Sequence, residues 1–209
     1  MTDYNYNNAG PQKSFEVIPA GTICELQMEI RPGGGGDDGW LKRASTEKGE
    51  SQGIDCVFTV TSPEQYARRK VFQTFTMEGT AATHADSGEI SRKTLCAILE
   101  SARGIRPDDK SEAADLGRRA NDWSDFQNLR FVARLGVKPA QGQYAAKNTL
   151  LEVVTPDRKA WTQPQQLPPD PTAPKSRAGN GAAPGSTTSA AAAAAPTNAS
   201  ISRPKWAAD

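Results

Sequence analysis

The sequence has few of the residues that build catalytic and metal-binding centres. It contains one histidine, His84, and three cysteines, Cys24, Cys56 and Cys96, which are widely spaced and form no Cys-x-x-Cys motif. A single histidine without nearby thiols does not supply the ligands of a zinc site, and an odd number of separated cysteines does not predict a disulfide framework. We therefore expect a cytoplasmic protein with buried, reduced thiols, no metal and no cofactor.

The acidic residues offer little catalytic potential either. Adjacent carboxylates occur as Asp37–Asp38 and Asp108–Asp109, and both pairs stand in predicted loops beside basic residues. A two-metal nuclease needs three or four acidic groups on rigid elements, so we expect these carboxylates to be solvated. His84 stands in another predicted loop, and a catalytic role would require partners from distant loops. The sequence therefore favours a binding protein over an enzyme, with no catalytic residue.

Long apolar runs are also missing. No window approaches the ~18 continuous apolar residues of a membrane helix, and the first residues lack the basic and apolar regions of a secretory signal. Hydrophobic residues form 36% of the chain, and residues 162–209 contain few large ones among many Pro, Ala, Gly and Ser residues. We expect no membrane contact, a flexible arm at 1–13, one folded domain at 14–161, and a disordered Pro/Ala/Gly-rich tail at 162–209.

The end of the predicted tail differs from the rest of it. Trp206 follows Arg203 and Lys205 after a long stretch without aromatic residues. A single aromatic residue at the end of a disordered tether is typical of a short docking peptide. We therefore predict that Trp206 contacts a protein partner.

Two kinds of periodicity divide the predicted domain into strands and one long helix. Apolar residues alternate with polar ones in several segments, which is the pattern of half-buried strands. A period of three to four residues ends just before Gly104 and predicts a helix that begins near Ser87 or Ser91. The predicted strands lie at 22–30, 54–61, 68–77, 126–137 and 144–154, with a further short candidate at 40–44.

The order of these elements predicts the fold class. Alternating strands indicate an antiparallel sheet with one wet face, or a small closed barrel. A sandwich would need about seven strands and no central helix. We therefore predict a mainly β (α+β) fold, an OB-like five-stranded antiparallel barrel with one inserted helix. Phe58, Phe75 and Phe131 follow the apolar sides of their strands and are predicted core residues, and Gly33–Gly36 is predicted to form a mobile hairpin tip.

Basic residues stand within a few positions of aromatic ones throughout the predicted domain. This combination binds single-stranded nucleic acid, because cations follow the phosphates and flat rings stack under bases. The net charge is only +1, so such contact must come from a patch and not from total charge. The predicted nucleic-acid-binding residues are Trp40, Lys42, Arg43, Tyr66, Arg68, Arg69, Lys70, Trp123, Arg130, Arg134, Tyr144 and Lys147.

Two parts of this set have alternative interpretations. Arg130 and Arg134 would lie ~13–14 Å apart on one wet side of a strand, which suits successive phosphates but also fits solvated cations. The aromatic residues stand at strand ends or in loops, where a ring either stacks on a base or caps the end of the barrel.

Several segments resemble a family of small phage and prophage proteins that are taken as single-stranded DNA-binding proteins with an OB-like fold. The resemblance covers residues 14–160 and depends above all on the segment DFQNLRFVARLGV at 125–137, with further segments at 15–22, 68–72, 144–148 and 155–157. It implies protection of single-stranded DNA and transfer of that DNA to replication or recombination proteins. The tail departs from the bacterial single-strand-binding pattern, because basic residues precede Trp206 and only Asp209 supplies an acid after it.

Two hypotheses of different classes follow. The first is a single-stranded DNA-binding protein of phage or prophage origin, which acts in replication or recombination and reaches partner proteins through its tail. The alternative is a non-enzymatic phage accessory protein that binds a protein partner through its sheet or tail. Salt-dependent binding of an oligonucleotide would distinguish them.

Overall fold

The computed structural model of the protein describes residues 16–47 and 49–167, and this part of the chain is mainly β. Six antiparallel strands and one long helix form most of it. The predicted arm at 1–13 lies outside the described residues, as do Trp206 and most of the predicted tail. Neither helix in the described ranges is long and apolar enough to cross a membrane.

The elements follow the predicted order, with strands on both sides of one long helix. The strands are β1 (Ile23–Arg31), β2 (Lys42–Thr46), β3 (Gly49–Ser62), β4 (Lys70–Gly79), β5 (Arg130–Lys138) and β6 (Lys147–Val153). The helices are α1 (Ala82–Arg103) and α2 (Glu112–Gly117), and short 3₁₀ turns lie at Glu64–Tyr66 and Trp123–Phe126. The predicted antiparallel sheet with one main helix is confirmed.

The sheet is organised around β3, its longest strand. One edge of β3 pairs with β4, and the other edge pairs with β1 and then with β2. On the far side of β1 the sheet continues through β5 to β6. β2 continues the line of β1, because Arg31 pairs with Asp55 and Lys42 pairs with Gly53 on the same edge of β3. β1 and β2 thus form one interrupted strand along β3; β1 corresponds to the predicted strand at 22–30 and β2 to the short candidate at 40–44.

The glycine-rich loop that divides this strand folds back on itself. Gly35 and Leu41 form an isolated bridge with two backbone hydrogen bonds of 2.7 and 2.9 Å. A Cβ atom at Gly35 would lie 2.7 Å from the carbonyl oxygen of Leu41, so this close approach requires glycine. The segment that was predicted as an open hairpin tip thus has backbone pairing of its own.

β3 begins at Gly49, five residues before the predicted start of this strand at 54, so residues 49–53 extend it. These residues pair with β2 on one edge, and β4 pairs with the last of them on the other edge. Gln52 Nε2 also donates a hydrogen bond of 2.8 Å to Glu78 of β4. Hydrogen bonding, and not burial of apolar side chains, therefore forms this end of the strand.

The hydrophobic core lies between the sheet and α1, which packs against β4 and β5. Phe58 makes edge-to-face contacts with Phe75 and Phe131, at centroid distances of 6.3 and 5.5 Å. All three rings are buried, as predicted from strand alternation. The side chains that α1 adds to the core are Leu95, Ile98, Leu99 and Ala102.

The three cysteines are free thiols, as predicted. Cys24 and Cys56 lie in the core, where burial raises the pKa of their thiols to about 11 and about 12. Cys96 is only half-buried in α1, and desolvation raises its pKa as well. Because the thiolate is the reactive form, these raised pKa values disfavour nucleophilic chemistry at all three positions.

α1 begins earlier than its apolar pattern predicts. The first helical residue is Ala82, and His84 Nδ1 accepts a hydrogen bond of 3.2 Å from the N–H group of Ala81. His84 is therefore a half-buried residue of the first helical turn and not a solvated loop residue. The helix ends as predicted at Gly104, which adopts a left-handed φ of 71°.

At three places around the sheet, a side-chain amide forms the two backbone hydrogen bonds that a neighbouring strand would otherwise form. Each amide donates to the carbonyl oxygen of one residue and accepts from its N–H group, with distances of 2.7 to 3.1 Å. Such contacts give partners to backbone groups that no neighbouring strand reaches. The pairs are Gln127 with Ile30, Asn148 with Ile18, and Gln166 with Arg130.

The predicted boundary between domain and tail falls inside a segment that contacts the sheet and α1. Trp161 Nε1 donates a hydrogen bond of 3.1 Å to the carbonyl oxygen of Ser101 in α1. Five residues later, the amide of Gln166 bonds both backbone groups of Arg130 in β5. The contacts of the domain therefore extend beyond 161 into the first residues of the predicted tail.

This segment leads to a test by truncation. We compare a chain that ends after Leu167 with one that ends after Ala160. The shorter chain loses the Trp161 and Gln166 contacts and leaves backbone groups of Arg130 unpaired, which costs ~2–3 kcal/mol. We expect its melting temperature, measured by calorimetry, to be about 5–10 °C lower than that of the longer chain. Equal melting temperatures would show that the segment adds no stability.

Candidate nucleic-acid interface

Strand pairing distributes the predicted contact residues over three parts of the sheet. β4 and β6 both run parallel to β1, because each is separated from it by two antiparallel pairings. The turns before β4 and β6 therefore lie at the end of the sheet where β1 begins. That end carries Tyr66, Arg68, Arg69, Lys70, Tyr144 and Lys147. The opposite end carries Trp40, Lys42, Arg43 and Trp123, and β5 carries Arg130 and Arg134.

The two arginines of β5 are engaged within the protein. The Arg130 side chain is only 19% exposed, lies 3.6 Å from the Glu25 carboxylate, and donates to the backbone carbonyl oxygen of Gln165. Arg134 lies 3.5 Å from the Glu152 carboxylate. Both occupy the predicted face of β5, opposite the buried Phe131. Glutamates on β1 and β6 thus pair with both arginines, and contact of these arginines with phosphates stays a prediction.

Most of the predicted aromatic residues are half-buried. Trp40, Tyr66 and Trp123 pack against the core. The Arg69 guanidinium lies 5.2 Å from the centroid of the Tyr66 ring. Tyr144 differs from the other rings, because it is 72% exposed in the turn between β5 and β6.

Lys42 and Arg43 are neighbours in β2 and therefore point to opposite faces of the sheet. Lys42 Nζ lies 3.3 Å from a carboxylate oxygen of Asp55 on the face that is turned away from the core. Arg43 lines a shallow cavity of about 680 Å³ together with Gln52 and Glu78. The structure thus separates two cations that the sequence places side by side.

The face of β1, β3 and β4 that is turned away from the core carries an exposed aromatic residue that the sequence reasoning missed. Phe72 of β4 is 52% exposed, and the Arg31 guanidinium lies 5.5 Å from the centroid of its ring. The signal was present in the alternation of β4, because Val71 and Phe75 face the core and Phe72 must face away. We call this surface the outer face; its residues are Glu29, Arg31, Lys42, Asp55, Val57, Lys70, Phe72 and Thr74.

Pairing between strands arranges the outer face in rows. Arg31, Asp55 and Thr74 stand opposite one another in one row across β1, β3 and β4. The next row contains Phe72, and Lys70 follows two residues further along β4. Residues two apart on a strand lie ~6.6–6.8 Å apart on one face. The Phe72 ring therefore has Arg31 on one side and Lys70 on the other, and one extended nucleic-acid strand could contact all three.

Asp55 lies at the centre of a polar network in this face. Its side chain accepts hydrogen bonds from Arg31 at 2.6 Å, Lys42 at 3.3 Å and Thr74 at 3.2 Å. Burial opposes ionisation of this carboxyl group. The hydrogen bonds from Lys42 and Thr74 and the charges of Arg31 and Lys42 outweigh that effect, and the pKa of Asp55 is lower than usual. The carboxylate is therefore charged at neutral pH.

A second basic feature lies at the turn between β5 and β6. Lys138 and Lys147 stand directly opposite each other in the ladder, and both are exposed. Like charges in this position destabilise a strand pair. Within the described ranges neither lysine forms an ion pair, so an anion would relieve their repulsion. Lys147 was predicted as a contact residue, whereas Lys138 was not.

One serine has the sequence context of a hydrolase nucleophile but not its geometry. Ser51 lies in the run Gly49–Gly53, which has the form Gly-x-Ser-x-Gly, and it pairs with Gly79 beside the His84 ring. A nucleophile elbow needs a sharp turn from strand to helix, whereas Ser51 lies within β3. In the described part of the chain no hydrogen bond joins Ser51 to His84, whose Nδ1 accepts from the backbone.

Among the described residues, no group of three or more His, Cys, Asp and Glu side chains is placed to hold a metal ion. The adjacent pair Asp108 and Asp109 binds within its own loop, where Asp108 contacts Arg106 and Asp109 contacts the backbone of Ser111. These loop carboxylates are exposed, as their sequence context suggests.

The lowered pKa of Asp55 predicts a pH-dependent contribution to stability. Because the folded pKa is lower than the unfolded one, the contribution is complete above the usual carboxyl pKa of about 4 and is lost as the pH falls through the lowered value. Asp55→Asn should decrease the free energy of unfolding by ~1–3 kcal/mol at pH 7. We expect this difference from wild type, measured by urea denaturation, to shrink below about pH 4.

The matched control for this measurement is Asp37→Asn, which removes an exposed loop carboxylate and should match wild type at every pH. A difference between Asp55→Asn and wild type that stays constant from neutral to acid pH would contradict the ionic role of Asp55.

Comparison of the sequence with protein families and curated proteins identifies no relative. The chain matches no protein-family model, and no curated protein is significantly similar to it. The outer face and the residues that surround it are therefore the features of this chain that bear on its function.

Proposed function

We propose that the protein is a non-enzymatic single-stranded DNA-binding protein of phage or prophage type, whose outer face contacts the DNA. The observation that carries this proposal is the exposed Phe72 ring with Arg31 beside it. An exposed ring in the middle of a sheet gives a base a flat surface to stack on, and adjacent cations attract the phosphates. Lys42 and Lys70 extend the positive charge along the same face.

The chemistry of this face favours single strands over duplex DNA. Stacking on Phe72 requires a base whose flat side is free, and in a duplex both sides of each base are covered by its neighbours. The interaction is tolerant of sequence, because every base has such a side. The near-neutral chain, with a net charge of +1, agrees with local phosphate contacts at a patch.

The strand order supports an OB-like barrel as the frame for this face. When β1 and β2 are counted as one strand, the order is three strands, α1 and a two-stranded hairpin. β4 and β6 lie side by side, and pairing between them would close the barrel. In OB-folds the face of the second and third strands binds oligonucleotides, and in this order those strands are β3 and β4.

We infer that the protein protects single-stranded DNA in the cytoplasm during replication or recombination. Trp206, which lies outside the described residues, is proposed to contact a replication or recombination protein. The sequence resemblance to phage single-stranded DNA-binding proteins supports this role.

A second candidate function is a phage accessory protein that binds a protein partner. Leu151 of β6 and Tyr144 in the preceding turn support it, because both are large apolar side chains that are mostly exposed. Neither lies on the outer face. The two functions therefore depend on different surfaces and are separated by substitutions in each.

Substitution of Phe72 tests the proposed function. Because the ring is 52% exposed, Phe72→Ala should leave the melting temperature within a few degrees of wild type. Loss of stacking should weaken binding of an oligo-dT by ~1–3 kcal/mol, with an unchanged slope of log K against log salt. Binding is measured by fluorescence anisotropy at ~50 mM salt, where phosphate contacts are strong.

The matched control is Ile90→Ala on α1, which removes another apolar side chain that is more than half exposed, away from the outer face. It should bind the oligonucleotide as wild type does. If wild type fails to bind, or if the Phe72 and Ile90 variants bind equally well, the protein-binding alternative is favoured.

A further inference from the structure

The outer face contains a carboxylate, Asp55, among the cations that would bind phosphate. Its negative charge would repel phosphate and so weaken the binding of nucleic acid there. Asp55 is 9% exposed, and one oxygen, Oδ2, contacts both Arg31 at 2.6 Å and Lys42 at 3.3 Å. Of these two cations, Arg31 also lies beside the Phe72 ring. Thr74 donates to the other oxygen, Oδ1, so the carboxylate is fixed from three strands.

This arrangement changes the charge that the face presents. Two cations share a single anion, so Arg31, Lys42 and Asp55 together carry one positive charge in place of two. Arg31 uses one nitrogen, Nη2, for this contact, and its guanidinium also lies beside the Phe72 ring. Lys70, two residues from Phe72, is exposed and forms no ion pair among the described residues.

We propose, as an extension of the proposed function, that Asp55 is a positioning residue that limits the affinity of the outer face for nucleic-acid phosphate. It fixes Arg31 beside Phe72, holds Lys42 in the same network, and competes with phosphate for both cations. A phosphate that reaches these cations also meets the negative charge of Asp55. Because the carboxylate is shielded from solvent, salt screens this repulsion poorly.

The consequence is reversible binding. A face with two uncompensated cations beside a stacking ring would bind single strands more tightly and release them more slowly. The internal carboxylate takes the place of phosphate when DNA leaves, so the cations are never without a partner. Asp55 thus sets the exchange between bound and free states and does not itself contact a base.

The experiment compares Asp55→Asn with wild type and with Glu112→Gln. Asparagine keeps the size of the side chain and an oxygen that accepts from Thr74, but it removes the charge. Glu112→Gln changes the net charge equally at the first turn of α2, away from the outer face. Relative to this control, we expect Asp55→Asn to bind oligo-dT about fivefold more tightly, the factor that corresponds to ~1 kcal/mol between charges 4 Å apart in water.

The salt dependence supplies a readout that a purely structural role would not change. Neutralisation of one further phosphate makes the slope of log K against log salt steeper by about 0.7 for single strands. We expect this increase in Asp55→Asn and not in Glu112→Gln. Affinity or slope equal to that of the control, or weaker binding by a folded Asp55→Asn variant, would overturn the proposal.

If Asp55→Asn does not fold, a second pair of variants tests whether Asp55 limits phosphate binding. Lys42→Gln and Lys70→Gln each remove one exposed cation of the outer face, but only Lys42 is compensated by Asp55. We expect Lys70→Gln to make the slope shallower by about 0.7 and Lys42→Gln to change it by clearly less. Equal changes would overturn the role of Asp55.

Failure of this inference is distinguishable from failure of the proposed function. If wild type does not bind oligo-dT, or if Phe72→Ala binds as wild type does, the outer face is not the DNA-binding surface. If both of those results support DNA binding and the Asp55 and Lys42 variants give no effect, only the role of Asp55 is rejected.

Discussion

The architecture depends on the pairing of β3 along both of its edges. This strand joins β4 on one side to β1 and β2 on the other, and its alternation assigns each side chain to the core or to the outer face. Phe58 fills the centre of the core, whereas Asp55, three residues earlier, stands on the outer face. A shift of register by one residue would exchange these faces, so core packing and surface charge are specified together.

The parts of the fold that bury apolar side chains were predictable from the sequence. Alternation located the apolar strands, and Gly104 located the end of α1. The start of α1 was not predictable, because its first turn lacks large apolar residues and His84 accepts the hydrogen bond from the N-cap N–H group that a glutamate or glutamine would usually accept. The first third of β3 was missed for a similar reason, since its residues are held by hydrogen bonds and not by hydrophobic contacts.

The candidate site was less predictable than the fold. Proximity of basic and aromatic residues in the sequence identified Lys42 and Lys70, but it could not assign them to faces or reveal their partners. Arg130 is paired with Glu25, a residue more than a hundred positions away, and no local pattern contains that information. Phe72 could have been found from alternation in β4. The network around Asp55 could not, because it consists of contacts from three other strands.

The side-chain amides at the margins of the sheet have a consequence for how the protein responds to its surroundings. Gln127, Asn148 and Gln166 carry no charge, so neither ionic strength nor ordinary changes of pH weaken their bonds to the backbone. The ion pairs at the surface respond to both, because salt screens them and low pH neutralises their carboxylates. Conditions that weaken these ion pairs therefore leave the amide contacts intact, and the margins of the sheet keep their backbone partners.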